Sequence, residues 1–258
     1  MLLAIDIGNS HIVCGIFDQG QLIANWRLAS NHTQTSDEYG TILHSLLFFK
    51  NLSPDNVTGC IISSVVPPLT TVFESLVQSF FNCTPFIVTS KSPHGLKLQY
   101  DNPEEIGSDR IVNAVAAINQ YQQSLIIVDF GTATTFCTIS QAGVYLGGVI
   151  APGLKSAADS LHLKTAKLPK VDLITPSSVI GKNTVTSMQS GLMFGYAGLV
   201  DAIVTGIQQE ISEPAFVIAT GGLSQAIVKI SKTIQEVRPN LTLEGLAILH
   251  SRHLRSCG

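Results

Sequence analysis

Charged residues are scarce in this sequence: Lys, Arg, Asp and Glu make up 13% of its 258 residues, and the formal net charge is −3. The basic residues form no long stripe, which argues against nucleic acid as the main partner. No apolar run approaches the ~18 residues needed to cross a bilayer. The first acid, Asp6, comes too early for a secretion signal. The sequence therefore predicts a cytoplasmic protein that has neither a nucleic acid nor a membrane as its partner.

Several familiar site patterns are also missing. The five cysteines are scattered without Cys-x-x-Cys spacing, so the sequence predicts neither a disulfide framework nor a zinc site. The absence of Gly-x-x-x-x-Gly-Lys-Ser/Thr excludes a P-loop, and no Gly-x-Gly-x-x-Gly follows a strand, which disfavours a Rossmann dinucleotide site. Gly-x-Ser-x-Gly and His-Glu-x-x-His do not occur, so the corresponding hydrolases have no support.

What the chain does have is a high apolar content, 45%, enough at this length for one large domain or two modest ones. The segment Leu125–Thr135 reads as a buried strand that leads into Asp129, Gly131 and three threonines. This combination suits phosphate and cation chemistry, because Gly lets the backbone approach a ligand and N–H and O–H groups donate to it. The alternative is a buried strand whose Asp merely caps a turn.

The segment Leu2–Asn9 repeats this pattern, with an apolar strand followed by Asp6-Ile-Gly-Asn. A second apolar run follows each copy, and turns at 18–20 and 141–143 lie at similar distances beyond the two acids. Two strand–turn–strand units with matched carboxylates predict two similar α/β lobes that face one cleft. Chance similarity between short apolar strands is the alternative.

Local patterns predict most of the remaining elements. Helices are expected from Ser36, after Pro67-Pro68, from Gly107 to Gln120, from Pro152 to Leu161 and from Thr184 to Glu210. Strands are expected over 12–17, 22–28, 57–63, 85–89 and 216–219, the last leading into Thr220-Gly221-Gly222. The stretch 91–105 reads as irregular, and a long irregular stretch in a compact domain is often functional.

The start of the helix at Gly107 places Asp109 and Arg110 side by side. Arg can hold a carboxylate or phosphate by two parallel hydrogen bonds, and Asp can accept a proton from an attacking hydroxyl. The alternative is ordinary helix-start chemistry, in which Ser108 or Asp109 caps the helix and Arg110 is solvated.

Four further residues have two possible readings. Thr184 follows Gly181-Lys-Asn and is either a helix cap or a donor to a ligand. Tyr100, in the irregular stretch, is either a packed anchor or a pocket wall. His250 and His253 have the i, i+3 spacing of one helix face, and we interpret them as helix-end cations instead of metal ligands.

Taken in order, these residues resemble a known family. The chain is similar to type III pantothenate kinases over residues 1 to about 250, through the motifs Asp6-x-Gly-Asn, Val66-Pro-Pro-Leu69, Tyr100 with Asn102-Pro103, Gly107-x-Asp-Arg110, Asp129-Phe-Gly-Thr-Ala-Thr-Thr135 and Gly181-x-Asn-Thr184. The resemblance implies two actin-like ATPase (ribonuclease H-like) lobes, at 1–118 and 119–258, the second carrying a homodimer interface. It also implies transfer of the ATP γ-phosphate to the primary hydroxyl of pantothenate, the first step of coenzyme A synthesis.

The resemblance also implies a role for individual residues. Asp109 would be the catalytic base. The acceptor pocket would be lined by Tyr100, Gly107, Ser108, Asp109, Arg110 and Thr184. The ATP phosphates would be bound by Asp6, Ile7, Gly8, Asn9, Ser10, His11, Ile12, Val13 and Thr132. Asp129 would hold a monovalent cation, K⁺ or NH₄⁺, and Mg²⁺ would arrive with ATP near Asp6.

One departure from the family pattern is Cys137, where an acid often follows the threonine run. If that acid matters for the cation or the fold, this chain binds its ion differently. Two alternative functions share the phosphate turns: a kinase for another small alcohol, and a catalytically silent, nucleotide-binding transcriptional regulator. The intact Asp6, Asp109 and Asp129 favour an enzyme.

Overall fold

The two Asp-containing strands lie in two separate sheets of the computed structural model, which describes residues 1–257. The strands are β1 (Leu2–Ile7), β2 (His11–Asp18), β3 (Gln21–Ala29), β4 (Gly59–Ser64), β5 (Pro85–Ile87), β6 (Lys97–Leu98), β7 (Leu125–Phe130), β8 (Ala133–Ile139), β9 (Val144–Pro152), β10 (Phe216–Gly221) and β11 (Glu236–Val237). The helices are α1 (Ser36–Phe48), α2 (Pro67–Phe81), α3 (Ser108–Gln120), α4 (Leu154–Leu163), α5 (Thr184–Glu210), α6 (Ser224–Ile227) and α7 (Leu241–Cys257).

The two sheets repeat one topology. The first has the order β3-β2-β1-β4-β5, with an antiparallel β1–β2–β3 meander and β4 and β5 parallel to β1. The second contains the same arrangement as β9-β8-β7-β10-β11 and adds β6, parallel to β9. The prediction of two similar α/β lobes is therefore confirmed.

The two acids occupy matched positions in this repeat. Asp6 lies opposite Val13 of β2 and Ser63 of β4. Asp129 lies opposite Thr135 of β8 and Thr220 of β10. The strands around both acids are buried on both faces, as expected for strands at the centre of a sheet covered by helices.

The chain divides into two compact units that differ from the predicted lobes. The first consists of 1–96, 101–119 and the C-terminal segment from Leu241; the second consists of 97–100 and 120–240. Helix α7 lies in the first unit, whereas the predicted lobe at 119–258, whose last residue lies outside the described ones, includes it. The physical reason is that Leu241, Leu246 and Leu249 of α7 are buried on the first sheet.

The contacts of α7 also correct the interpretation of His250 as a helix-end cation. A β-carbon at Gly59 would lie 2.8 Å from Nε2 of His250, so the ring packs directly on β4. Burial, together with nearby His253, lowers the pKa of His250 below 6.5, which favours the neutral ring. The His253 ring stacks on Phe86 with centroids 3.9 Å apart. Among the side chains that the structure describes, those of residues 1–255, no group of three or more His, Cys, Asp or Glu could hold a metal ion.

Helix α5 has the bounds predicted from the sequence and forms part of the core of the second unit. Its buried residues include Met193, Tyr196, Ala197 and Val200. Among the described residues it is the one helix long and apolar enough to cross a membrane by length and composition. A core helix passes the same test, and the buried residues explain its apolar composition.

Candidate active site

The predicted phosphate turn is the tight connection between β1 and β2. The Gly8 N–H donates to the His11 carbonyl at 3.0 Å, and Ser30 Oγ donates to the Gly8 carbonyl at 2.5 Å. Asn9, Ser10 and His11 are exposed, whereas Ile7 and Ile12 are buried and Asp6, Gly8 and Val13 are partly buried. The apolar members therefore fix the turn to the core, and the polar members face solvent where a ligand can reach them.

A serine cluster connects the start of α3 to the end of β4. Ser108 Oγ lies 3.0 Å from Ser63 Oγ, accepts the Ser64 N–H at 3.0 Å and donates to the Ser64 carbonyl at 3.0 Å. Ser63 is the register partner of Asp6. The cluster therefore brings the α3 start, including Asp109, to the same edge of the first sheet as Asp6.

Asp109 lies in the first turn of α3 with its carboxylate turned back over Gly107. A β-carbon at residue 107 would lie 2.4 Å from Asp109 Oδ1, so only Gly leaves room for this arrangement. Oδ1 accepts the backbone N–H of Arg110 at 2.8 Å. Burial raises the pKa of the Asp109 carboxyl above 3.8, although the N–H and the charge of Arg110 act in the opposite direction.

Two parts of the alternative reading, a capping Ser108 and a solvated Arg110, do not fit the contacts. Arg110 is 6% exposed and Ser108 is 7% exposed, so neither is a solvated helix-end side chain. Ser108 bonds to β4 instead of capping its own helix.

A pocket of about 440 Å³ opens next to this helix start, within the first unit. Its walls are the end of β4, the segment 88–91, and residues 104–108, which include Gly107 and Ser108. An exposed ion pair between Lys91 and Glu104, 2.7 Å apart, joins two of these walls. The pocket is large enough for a small-molecule substrate.

In the second unit, Asp129 lies beside a glycine on the neighbouring strand. Gly221 has a φ of +88°, and a β-carbon there would lie 2.6 Å from both Asp129 Oδ1 and the Phe130 carbonyl oxygen. A carboxylate oxygen and a carbonyl oxygen thus border a space that only Gly leaves open. Oxygen donors of this type suit a hard cation.

Thr132 lies at the exposed turn between β7 and β8. Residues at the start of α4 and within α5 pack against this turn. A β-carbon at Gly153 would lie 2.2 Å from the Thr132 carbonyl oxygen, and Ser156 Oγ donates to the same oxygen at 3.1 Å. The Tyr196 hydroxyl donates to the Pro152 carbonyl at 2.7 Å and shares a short hydrogen bond with Thr134. Sequence reasoning missed Tyr196 and Ser156, because a single Tyr or Ser in a helical pattern carries no functional signal.

The residue that caps the start of α5 is Asn183, the neighbour of Thr184. Asn183 accepts the Thr186 N–H at 2.9 Å and forms a capping box with Thr186. Thr184 is exposed in the first turn of α5, so the reading of Thr184 as a cap is excluded. Tyr100 is partly buried and packs against Tyr145.

The predicted site residues therefore form two groups. The segments Asp6–Val13 and Gly107–Arg110 share one edge of the first unit. Tyr100, Asp129, Thr132 and Thr184 belong to the second unit.

Comparisons with known proteins place these features in a family context. A family model for type III pantothenate kinase matches residues 2–206. A curated type III pantothenate kinase from Pelobacter propionicus is 52% identical over 98% of this chain and 100% of its own length.

Two solved structures share the fold. A Campylobacter jejuni protein assigned to the Baf family of transcriptional activators has a TM-score of 0.60 at 17% identity, over 98% of this chain and 99% of its own. A ROK hexokinase from Thermus thermophilus has a TM-score of 0.52 at 10% identity, over 99% of both chains. At these identities the likeness establishes the actin-like fold and nothing about activity.

Proposed function

The chain belongs to the type III pantothenate kinase family and phosphorylates pantothenate with ATP, and we propose that Asp109 is the base of this reaction. The observation that carries the proposal is the Asp109 carboxylate, held over Gly107 at the sheet edge that also bears Asp6. The product is 4′-phosphopantothenate, and the reaction is the first step of coenzyme A synthesis.

The chemistry of the acceptor explains the need for a base. A primary alcohol is far too weak an acid to ionise at neutral pH, so Asp109 orients the hydroxyl and takes its proton late, as the phosphoryl group moves. Burial raises the pKa of Asp109, which makes the carboxylate a better proton acceptor than an exposed Asp. Most of the rate enhancement comes from alignment and from N–H donors and cations that offset the charge on the transferred phosphoryl group.

The β1–β2 turn and Thr132 are the proposed ATP-phosphate contacts. Support comes from the exposed backbone of Gly8, Asn9 and Ser10, and from Thr132, whose position is held by Gly153 and Ser156. Mg²⁺, which accompanies ATP, would lie near Asp6 and neutralise phosphate charge.

Asp129 is the proposed ligand of a monovalent cation, K⁺ or NH₄⁺. The oxygen pair from Asp129 and Phe130 beside Gly221 supports this assignment. When bound, the cation would add positive charge near the phosphates. Cys137 lies two residues from Thr135, the register partner of Asp129, and adds no carboxylate to this group.

The acceptor pocket is proposed to include Tyr100, Gly107, Ser108, Arg110 and Thr184. Gly107 and Ser108 line the pocket of the first unit, which supports their assignment to the acceptor pocket. Arg110 could hold a carboxylate or phosphate by two parallel hydrogen bonds.

A homodimer formed through the second unit is proposed on the basis of exposed apolar side chains around the start of α5. They are Leu163, Ile174, Val179, Ile180 and Val185, which are 42–76% exposed. Exposed apolar side chains concentrated in one segment of the chain are typical of an interface between subunits. We expect the dimer to be cytoplasmic.

The test is ADP release measured with and without pantothenate, in sodium and then in potassium buffer. The matched pair of variants is Asp109→Asn and Asp37→Asn, because Asp37 is an exposed acid at the second position of α1 in the same unit. We expect Asp109→Asn to lose roughly 10²-fold or more in turnover, and Asp37→Asn to retain it. An unchanged rate for Asp109→Asn would remove this residue from the mechanism.

Two further outcomes address the alternative functions. ATP binding without pantothenate-dependent ADP release would favour the silent regulator. Faster ADP release with another small alcohol than with pantothenate would favour a different acceptor.

Equal rates in sodium and potassium would argue against the cation assignment to Asp129.

A further inference from the structure

Tyr145 of β9 contacts the segment that ends in Tyr100 in three ways. It is the register partner of Leu98, and its carbonyl accepts the Gln99 N–H at 2.9 Å. Its ring meets the Tyr100 ring edge-on, with centroids 6.3 Å apart and an interplanar angle of 65°. This is the geometry that the aromatic quadrupole favours. The position of Tyr100 therefore depends on Tyr145.

The Tyr145 side chain is in turn hydrogen-bonded to Cys137, the residue that departs from the family pattern. Its hydroxyl donates to Cys137 Sγ at 3.3 Å, and both side chains are fully buried. A buried phenol needs an acceptor, and a thiol supplies a weak one without placing a charge in the core. Cys137 is the register partner of Ile127 on β7, two residues from Asp129 along that strand.

We propose that Tyr145 and Cys137 are positioning residues that hold Tyr100 in place for the acceptor substrate. The inference rests on the proposed function, in which Tyr100 forms one wall of the pantothenate pocket. With the Tyr145 hydroxyl fixed at Cys137, its ring presents a rigid surface to Tyr100, so the Tyr100 ring is ordered before the acceptor binds. An ordered wall lowers the entropic cost of binding.

This arrangement predicts a specific kinetic pattern. Tyr145→Phe removes the donor and Cys137→Ala removes the acceptor of the same hydrogen bond. Each should raise the KM for pantothenate about fivefold, with kcat and the KM for ATP within about twofold of the parent. The double variant should be no worse than the more affected single variant, because the two changes remove one interaction. Cys137→Ser, which keeps an acceptor, should restore most of the affinity.

Tyr121→Phe is the matched control. The Tyr121 hydroxyl accepts a hydrogen bond from Arg238 in the same unit, at 3.1 Å. The Phe variant therefore also loses one hydrogen bond of a tyrosine hydroxyl, as Tyr145→Phe does. We expect this variant to change the melting temperature without changing the KM for pantothenate. If Tyr145 and Cys137 had a purely structural role, Tyr145→Phe and Cys137→Ala would likewise change the melting temperature and leave the KM for pantothenate unchanged. That result in both variants would overturn the inference.

Tyr100→Ala separates a failure of the inference from a failure of the proposed function. If Tyr100→Ala raises the KM for pantothenate and Tyr145→Phe and Cys137→Ala do not, the positioning role is wrong and the pocket wall stands. If Tyr100→Ala leaves that KM unchanged, Tyr100 is not a pocket wall, and the inference is overturned with it. An increase with all three variants supports both.

Discussion

Gly245 of α7 packs directly against Val112 of α3: a β-carbon at residue 245 would lie 2.2 Å from the Val112 carbonyl oxygen. Val112 is one helical turn beyond Asp109, the proposed base. The C-terminal helix thus limits where the helix that carries Asp109 can lie. A backbone contact this close leaves no flexible side chain that could move aside.

Gly245→Ala should therefore destabilise the protein. Since the added methyl group meets backbone atoms of α3, we expect the free energy of unfolding to fall by about 1–3 kcal/mol, with a lower turnover as α3 shifts. Urea unfolding and ADP release measure the two effects. Gly206→Ala is the control, because no described heavy atom lies within 4 Å of a β-carbon there. It should leave stability unchanged or raise it by up to about 1 kcal/mol. Equal stability of the two variants would contradict the close contact.

Asp109→Asn should cost activity without costing stability. The pKa of Asp109 is raised in the folded protein by burial, so between the unfolded and folded pKa values the folded state holds more protons. Stability then falls as the pH rises through that range, and the penalty persists at neutral pH. The neutral Asn removes the penalty, and we expect a melting temperature at pH 7 equal to or above that of the parent. A clear drop would show that the ionised carboxylate stabilises the fold.

Tyr196→Phe should weaken the binding of ATP more than that of pantothenate. The hydroxyl holds Pro152, whose neighbour Gly153 contacts the Thr132 carbonyl. Its loss should raise the KM for ATP about fivefold and leave the KM for pantothenate within about twofold. Tyr145→Phe is expected to show the reverse pattern, so each variant serves as the control for the other. Equal changes in both constants would mean that the hydroxyl has only a general structural role.

The ionised Asp201 carboxylate of α5 should stabilise the folded protein at neutral pH and contribute less at acidic pH. Its carboxylate accepts hydrogen bonds from Ser231 Oγ at 2.6 Å, Thr233 Oγ1 at 2.8 Å and the Lys232 N–H at 3.0 Å. Burial raises its pKa, but these bonds outweigh burial and bring the pKa below 3.8. Asp201→Ala should lower the free energy of unfolding at pH 7 by about 1–3 kcal/mol.

The pH dependence of this loss provides a second check on Asp201. A lowered folded pKa contributes stability that is present above the unfolded value and is lost as the pH falls through the folded one. The difference between the parent and Asp201→Ala should therefore shrink below about pH 4. Asp37→Ala, which removes an exposed acid, is the control.

Local sequence patterns were enough to predict much of this molecule. The bounds of β1 and α5 match the structure, because strand alternation and helical periodicity are properties of neighbouring residues. The repeated Asp-x-Gly unit predicted both sheets, because each copy contains its own strand, turn and returning strand. The placement of Asp109 at the same edge of the first sheet as Asp6 needed the structure, since it depends on the hydrogen bonds of Ser108 to Ser63 and Ser64.

Long-range packing accounts for what the patterns could not predict. The apolar face of α7 would fit either sheet, and nothing in its periodicity selects the first. Tyr196 acts on Thr132 through Pro152 and Gly153, residues that are distant from it in sequence. The pair Tyr145 and Cys137 depends on the register between β8 and β9, which is a property of the sheet and not of either strand.

The return of α7 to the first sheet has a consequence for biosynthesis. During translation, the N-terminal strands leave the ribosome long before the helix that covers them, and the whole second unit is made in between. The second unit can fold as soon as its own segment has emerged, whereas the first must wait, with apolar strands uncovered, until the last helix is free of the exit tunnel. A chain that ends just before Leu241 and has been released from the ribosome should therefore carry one folded unit and one that still requires chaperones.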